Sequence, residues 1–153
     1  MRKFQLKLID RRMADFIPTY GSDGAAAIDL RACLAHDVQS VVIQPNEVKM
    51  IGTGIAIHIE DSEVAGLILP RSGLGAKHGI ILGNGTGLID SDYQGELKLS
   101  IWNRSKEAFK IEHNDRIAQY MLVPVIRGQF EVVEEFNANT HRGNGGFGHT
   151  GKK

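Results

Sequence analysis

An all-β domain of the jelly-roll kind is the fold this chain predicts, and three observations carry the prediction. Short apolar runs recur along most of its length, turn-forming clusters separate them, and helical periodicity is almost absent. The runs cover residues 4–9, 26–34, 38–43, 48–51, 54–59, 64–69, 79–82, 95–102, 108–111, 117–123 and 130–135. Between them lie clusters such as Gln44-Pro45-Asn46-Glu47, Glu60-Asp61-Ser62 and His113-Asn114-Asp115, which reverse the chain through Asx turns, Pro and positive-φ asparagine. Strands at this spacing make a sandwich or barrel of short antiparallel segments. One helical turn is expected over residues 72–78, just after Pro70, and Gly73 and Gly75 keep it short.

The chain of 153 residues suits one domain with a real core and is too short for two ordinary ones. Lys plus Arg and Asp plus Glu both total 18, so no overall charge draws it to nucleic acid or an anionic membrane. Any anion must therefore be held locally. The single cysteine, Cys33, excludes an intrachain disulfide and a multi-cysteine zinc site and fits a reducing compartment. The start, Met-Arg-Lys-Phe-Gln-Leu-Lys-Leu-Ile, alternates and reads as a strand rather than a signal peptide, and no stretch reaches membrane-spanning length. The expected location is the cytoplasm, with no direct nucleic-acid binding and no membrane association.

The stretch 83–102 organises the rest. Apolar runs 79–82 and 97–102 flank a segment rich in Gly, Asp and Ser, the pattern of a hairpin with an enlarged tip. Past Gly95 the period is two: Leu97, Leu99 and Ile101 fall on one face, and Glu96, Lys98 and Ser100 on the other. The hairpin rests on a core and presents Asn84, Asp90 and Tyr93 at its tip: an amide to read a base edge, a carboxylate to activate water, and a ring to pack against a sugar. Taken alone, Asp90 reads as the closing residue of an Asx turn before it reads as a base.

Three other places offer chemistry. Pro70-Arg71-Ser72-Gly73 follows the apolar run 64–69, so a guanidinium, a hydroxyl and backbone N–H groups emerge together at a strand end; that suits phosphate, or a helix start capped by Ser72. Asp29, in Ala25-Ala26-Ala27-Ile28-Asp29-Leu30, suits a hydrated Mg²⁺ or an ion pair with Arg31. In Asp115-Arg116-Ile117-Ala118-Gln119, alternation puts Asp115, Ile117 and Gln119 opposite Arg116 and Ala118, and Gln119 can reach a phosphate oxygen or backbone. Cys33 reads as a packing residue, and the six histidines show no metal-ligand spacing. Residues 1–136 hold the strands. From 137 to 153 Phe147 is the one large apolar side chain, among Gly143, Gly145, Gly146, Gly148 and Gly151, so the segment is expected to be a mobile arm. It matches the G-x-G-x-x-G string with no room for a helix after it, which leaves a frayed terminus or a glycine nest for phosphate with Arg142 and Phe147.

Together, Ala27-Ile28-Asp29-Leu30, Pro70-Arg71-Ser72-Gly73-Leu74-Gly75, Gly87-Leu88-Ile89-Asp90-Ser91-Asp92-Tyr93-Gln94-Gly95, Asp115-Arg116-Ile117-Ala118-Gln119 and Arg142-Gly143-Asn144-Gly145-Gly146-Phe147-Gly148-His149-Thr150 resemble the five motifs of the trimeric dUTP pyrophosphatases, in order and spacing. The third and fifth are the specific ones. The resemblance implies a jelly-roll homotrimer with sites shared between subunits, hydrolysing dUTP to dUMP and pyrophosphate with Mg²⁺, which limits uracil in DNA and supplies dUMP for dTMP synthesis. By position it makes Asp90 the general base. It assigns uracil to Asn84 and the hairpin backbone at Gly87, Leu88 and Ile89, deoxyribose to Tyr93, and a backbone contact to Lys98. Phosphates fall to Arg71, Ser72, Gly73, Gln119 and Arg142, with Gly148 and Thr150 in the closing arm, Phe147 stacked on uracil, and Asp29 near the metal through water. Ala27, Asn114 and His149 depart from the usual motif residues; asparagine still permits a positive-φ turn, and the contact at 149 passes to Thr150 or backbone. The related dCTP deaminases share part of the pattern, and a nucleotide-binding regulator without turnover is the reading from another class.

Overall fold

Residues 2–138 and 140–144 are described by the computed structural model. Alternation and turn chemistry give strands β1 (Gln5–Leu8), β2 (Ile28–Arg31), β3 (Ser40–Ile43), β4 (Val48–Gly52), β5 (Ile55–His58), β6 (Val64–Leu69), β7 (Ile80–Leu82), β8 (Gly87–Ile89), β9 (Lys98–Asn103), β10 (Phe109–Glu112) and β11 (Arg116–Pro124). Helix α1 (Ser72–His78) stands where it is expected, ended by Gly79 at φ 66°. All pairings are antiparallel, in sheets ordered β2-β11-β6-β8, β4-β9-β7, β1-β5 and β10-β3. The all-β expectation holds. Leu30, Ile43, Ile68, Leu82, Leu97, Leu99, Ile101, Ile111 and Ile117 fill a common core with at most 3 % of their surface exposed.

Three features differ from the sequence reading. A 3-10 helix, Arg11–Phe16, follows β1; Asp10 caps it by accepting from the Arg12 N–H, and the Arg12 guanidinium grips both Asp10 oxygens and donates to the Leu34 carbonyl at 2.6 Å. That guanidinium holds the Asp10 carboxyl well below the usual carboxylate range. The apolar run 130–135 is not a strand: no ladder forms on it among the described residues, and Phe130 and Val132 are almost fully exposed. Finally, the hairpin of β7 and β9 pairs Ile80 with Asn103 and Leu82 with Ile101, as expected, but its tip does not stand free. Residues 87–89 cross to the other sheet as β8 and pair with β6, Gly66 facing Ile89 and Ile68 facing Gly87. Gly87 is needed there, because a Cβ would lie 3.0 Å from the Ile68 Cβ.

Candidate functional site

The four-stranded sheet places the candidate residues, because its register decides which side chains share a face. Tyr120 pairs with both Ile28 and Ile68, and these side chains point into the core. One position along, Gln119 pairs with both Asp29 and Leu69, so these three form a row across the outer face. Chain and ion pairs build a cluster on that row. Asp29 Oδ1 holds the Arg71 Nε at 2.8 Å and Asp29 Oδ2 the Arg116 Nη1 at 3.1 Å. Arg71 also donates to the Arg116 carbonyl, and Gln119 Nε2 donates to the Pro70 carbonyl at 2.9 Å.

Of the two readings of Asp29, its ion pairs are therefore with Arg71 and Arg116, not Arg31. Arg31 instead donates to the Asn114 carbonyl and covers the Phe16 ring at 5.5 Å. Arg116 belongs to this cluster, and alternation hides it. Its register against β2 slips between Arg116 and Ala118, so Ile117 turns into the core and Arg116 reaches the same face as Gln119. The signal that could have found it is the turn residue Asn114 just before, at φ 73°, the positive value expected of an asparagine there. Ser72 does not cap α1: the N-cap position is Arg71, and no side chain caps it. The hydroxyl, the Gly73 backbone and the arginines face solvent together.

A second cluster lies at the tip. Asp90 follows β8 directly, so alternation from the inward Ile89 turns it to the outer face, where it is exposed. Its carboxylate accepts no hydrogen bond among the described residues; the turn is closed through backbone, Tyr93 N–H to the Asp90 carbonyl, so the Asx-turn alternative is not realised. The Ser91 carbonyl accepts from Glu60 N–H at 2.8 Å and anchors the loop to the end of β5. Tyr93 donates to the Glu96 carbonyl at 3.0 Å, which fixes its ring over Gly95, where a Cβ would collide with it. Asn84 bends back on Thr86, Gly85 turns at φ 74°, and Leu88 is two-thirds exposed. Lys98 is exposed at the start of β9.

These two clusters do not meet within one chain. Asp90 lies one residue past the Gly66–Ile89 pair, four positions along β6 from the Leu69 row, which is roughly 13 Å of strand. Asp29 is three strands away in the other direction as well, roughly another 14 Å. Between them lie apolar outward side chains, Leu67, Leu88 and Met121. Arg142 sits in an exposed turn closed by Gly143 N–H to the Thr140 carbonyl. Phe147, Gly148, His149 and Thr150 lie outside the described residues.

No group of three or more His, Cys, Asp or Glu side chains is placed to hold a metal among the described residues. Asp29 presents a single carboxylate, a third exposed, with each oxygen carrying one arginine contact. That donor set fits a hydrated Mg²⁺ arriving on a triphosphate, which keeps most of its waters and takes few protein oxygens. Cys33, half-buried, has its thiol pushed up to about 11, mainly by burial, which disfavours the thiolate that attack requires. No helix among the described residues is long and apolar enough to cross a membrane.

The model of the dUTPase family matches residues 15–151. The chain is 57% identical over 153 residues to a deoxyuridine 5'-triphosphate nucleotidohydrolase of Acinetobacter baylyi, covering 99% of both chains. It is 54% identical to one of Neisseria meningitidis, covering 96% of this chain and 95% of that one. Among solved structures it resembles the dUTPase of Staphylococcus bacteriophage 80alpha in complex with dUPNHPP, with a TM-score of 0.85 at 28% identity over 99% of each chain. The fold is shared as well with a mutant dUTPase of phage phi11 of S. aureus, described with a structural Mg(II) ion, at a TM-score of 0.78 and 24% identity over 90% of this chain and 100% of that one.

Proposed function

This chain belongs to the dUTPase family, and we propose that its hydrolysis of dUTP to dUMP and pyrophosphate runs by attack of an Asp90-activated water on the α-phosphorus. The observation that supports this most is the state of Asp90. The carboxylate is exposed and carries no hydrogen bond among the described residues, yet its backbone is held by β8, the Tyr93 turn and the Ser91–Glu60 bond. A base free to bind water on a fixed backbone is what proton abstraction requires. Around it, Asn84 and the backbone of Gly87, Leu88 and Ile89 bind uracil, with the Asn84 amide supplying both donor and acceptor. Tyr93, braced on Glu96, packs against the deoxyribose and leaves a ribose 2′-OH crowded and unpaired. Lys98 touches the nucleotide through its backbone.

Arg71, Ser72, Gly73 and Gln119 bind the phosphates, with Gln119 also fixing Pro70 and hence the arginine that follows. Asp29 aims Arg71 through its Nε, the Arg116 carbonyl takes Nη1, and Nη2 is turned to the phosphate oxygens. Magnesium on the triphosphate supplies charge neutralisation and a fixed conformer, held at Asp29 through water. Residues 137–153 form an arm that closes over the nucleotide, Arg142, Gly148 and Thr150 on the γ-phosphate and Phe147 on the uracil.

The separation of Asp90 from the Arg71 cluster favours a site shared between subunits of a homotrimer. Two phosphoanhydride links join the α- and γ-phosphorus, far less than the distance across the sheet, so the base of one copy serves phosphate groups held by another. The apolar Leu67, Leu88 and Met121, and the exposed Ile126, Phe130, Val132 and Phe136, then have a surface to bury against. The lone, half-buried cysteine is consistent with a cytoplasmic enzyme.

Asp90→Asn tests the base assignment. Turnover of Mg²⁺-dUTP should fall by roughly 10²- to 10⁴-fold while dUPNHPP still binds, and undiminished turnover would remove Asp90 from the role. Parallel incubations with dUTP, UTP, dTTP and dCTP, read for pyrophosphate and ammonia, test selectivity: pyrophosphate from dUTP alone is expected, and ammonia from dCTP would mean deamination.

A further inference from the structure

The hydrolytic reading explains Arg116 only as a partner of Asp29 and leaves open what aims it. Arg116 opens β11 at the point where the ladder to β2 slips, pairing with Arg31 while Ala118 pairs with Leu30. A bulge interrupts the ladder, so the strand itself holds this residue weakly. The turn before it, residues 112–115, must hold it instead. Four hydrogen bonds tie that turn to the end of β2: Arg31 to the Asn114 carbonyl at 2.9 Å, Asn114 N–H to the Ala32 carbonyl at 2.7 Å, Ala32 N–H to the Asp115 carbonyl at 2.8 Å, and Leu34 N–H to His113 Nδ1 at 3.2 Å.

We propose that His113, as a neutral imidazole accepting the Leu34 N–H at Nδ1, is a positioning residue that aims Arg116 at Asp29 and thereby sets the phosphate-binding face. This rests on the hydrolytic reading above. Three of the four ties use groups whose charge is constant in the working pH range. The fourth needs a lone pair on Nδ1, and an imidazolium has none, since both ring nitrogens then donate. Protonation turns the tie into two donors facing each other. The turn loosens, and the consequence passes along four residues: Arg116 lets go of Asp29 Oδ2, its carbonyl no longer holds Arg71, and Asp29 is left with Arg71 alone.

Among the described residues no carboxylate forms an ion pair with this imidazole. On β2 and its continuation the cation is Arg31, and Arg12 is bound to the Leu34 carbonyl and to Asp10, which also meets His36 at 3.7 Å. The loop before β3 carries His36 and Asp37 and meets His113 through the Gln39 carbonyl. On its own turn, Asp115 accepts from Glu112 N–H, and Glu112 pairs with Lys110.

Two variants and one substrate-free readout test this. His113→Asn keeps an acceptor where Nδ1 lies and cannot titrate; His113→Leu removes the acceptor at every pH. Between about pH 7.5 and about pH 5.5, kcat/KM for Mg²⁺-dUTP in the wild-type protein should fall roughly fivefold to tenfold further than in H113N, with the difference in KM rather than kcat. H113L should start at about that reduced value near neutral pH and lack the extra fall. In parallel, the backbone amide signals of Leu34 and Arg116 should follow one histidine titration in the wild-type NMR spectrum and not in H113N. Parallel activity profiles for wild type and H113N, or a Leu34 amide blind to that titration, would overturn the proposal. A wild-type protein that fails to turn over dUTP would strike the hydrolytic reading instead, and the amide titration would still decide the latch.

Discussion

Gly66→Ala is the substitution whose outcome the geometry constrains most tightly. Gly66 on β6 lies diagonally across from Tyr120 on β11, and both face the core. A Cβ on Gly66 would lie well inside 3.0 Å of the Tyr120 hydroxyl, Cζ and Cε2. Tyr120 is 2 % exposed and cannot swing into solvent, so either the ring is forced off its rotamer or β6 moves away from β11. Overpacking of this kind costs about 1–3 kcal/mol, and three side-chain atoms in the way put this case at the upper end. For a chain of this size that is a melting point lower by roughly 6–12 °C, measured at one fixed protein concentration so that assembly does not shift the comparison. Because Gly66 pairs with Ile89, displacement of β6 carries β8 and Asp90 with it, and kcat for dUTP should fall along with stability. In a Tyr120→Leu background the clash is gone, and the double-mutant cycle should show coupling on the order of 2 kcal/mol. A melting point unchanged to within about 2 °C, or no coupling in the cycle, would refute the argument that the ring is what Gly66 makes room for.

Three further outcomes follow from the same contacts. The Tyr120 hydroxyl is buried without a hydrogen-bond partner among the described residues, and burial pushes it up to about 12 from 10.0. The folded state thus favours the neutral phenol, so the stability it contributes is complete below pH 10 and lost as pH rises through 12; urea unfolding at both ends of that window should show this loss in the wild-type protein and not in Y120F, which should match or exceed wild type below it. Cys33, with its thiol raised to about 11, should react with iodoacetamide far more slowly than free cysteine near neutral pH, and rates equal to free thiol would contradict its burial. Asp29→Asn removes the counter-charge of two guanidiniums and should cost on the order of 1 kcal/mol of stability at low salt, shrinking in about 1 M salt, with a larger loss in kcat/KM for dUTP than stability explains; an effect on melting point insensitive to salt would mean the pairs are not what holds the cluster.

What the sequence makes legible is what is local. Strand positions, the 72–78 helix and the inward set Leu97, Leu99 and Ile101 follow from period two and turn residues, and the structure keeps them. What is lost depends on partners distant in sequence. β8 is three residues, too short to announce itself, and exists because β6 lies beside it, with Gly87 leaving room for the Ile68 side chain. Arg31 is the ionic neighbour of Asp29 in sequence, yet Arg71 and Arg116, brought in from other strands, are its neighbours in space, since on a sheet side chains meet across strands. The apolar run 130–135 has the composition of a strand and no ladder among the described residues, because composition marks what can pair and not what lies beside it.

The same distinction explains the site. Its motifs are recognisable one by one in linear order, and the stretch 83–102 already groups Asn84, Asp90 and Tyr93, yet nothing in that order says that Asp29, Arg71, Arg116 and Gln119 form one cluster. Register and ion pairs say so: one row across β2, β11 and β6 carries Asp29 and Gln119, Arg71 and Arg116 join it through Asp29, and Asp90 lies just past the far end of β8. A sheet is stiff over this distance, so no loop motion within one chain closes the gap between a base on β8 and arginines beyond β6. On the proposed mechanism Asp90 and the Arg71 cluster stand apart on one rigid frame, and a single copy is therefore expected to bind phosphate without hydrolysing it. Mixing D90N with R71A tests that consequence directly. Each homogeneous protein should be nearly inactive, whereas co-refolded mixtures should regain turnover from sites that draw Asp90 from one copy and Arg71 from another; a mixture no more active than its components would place both groups of a working site on the same chain.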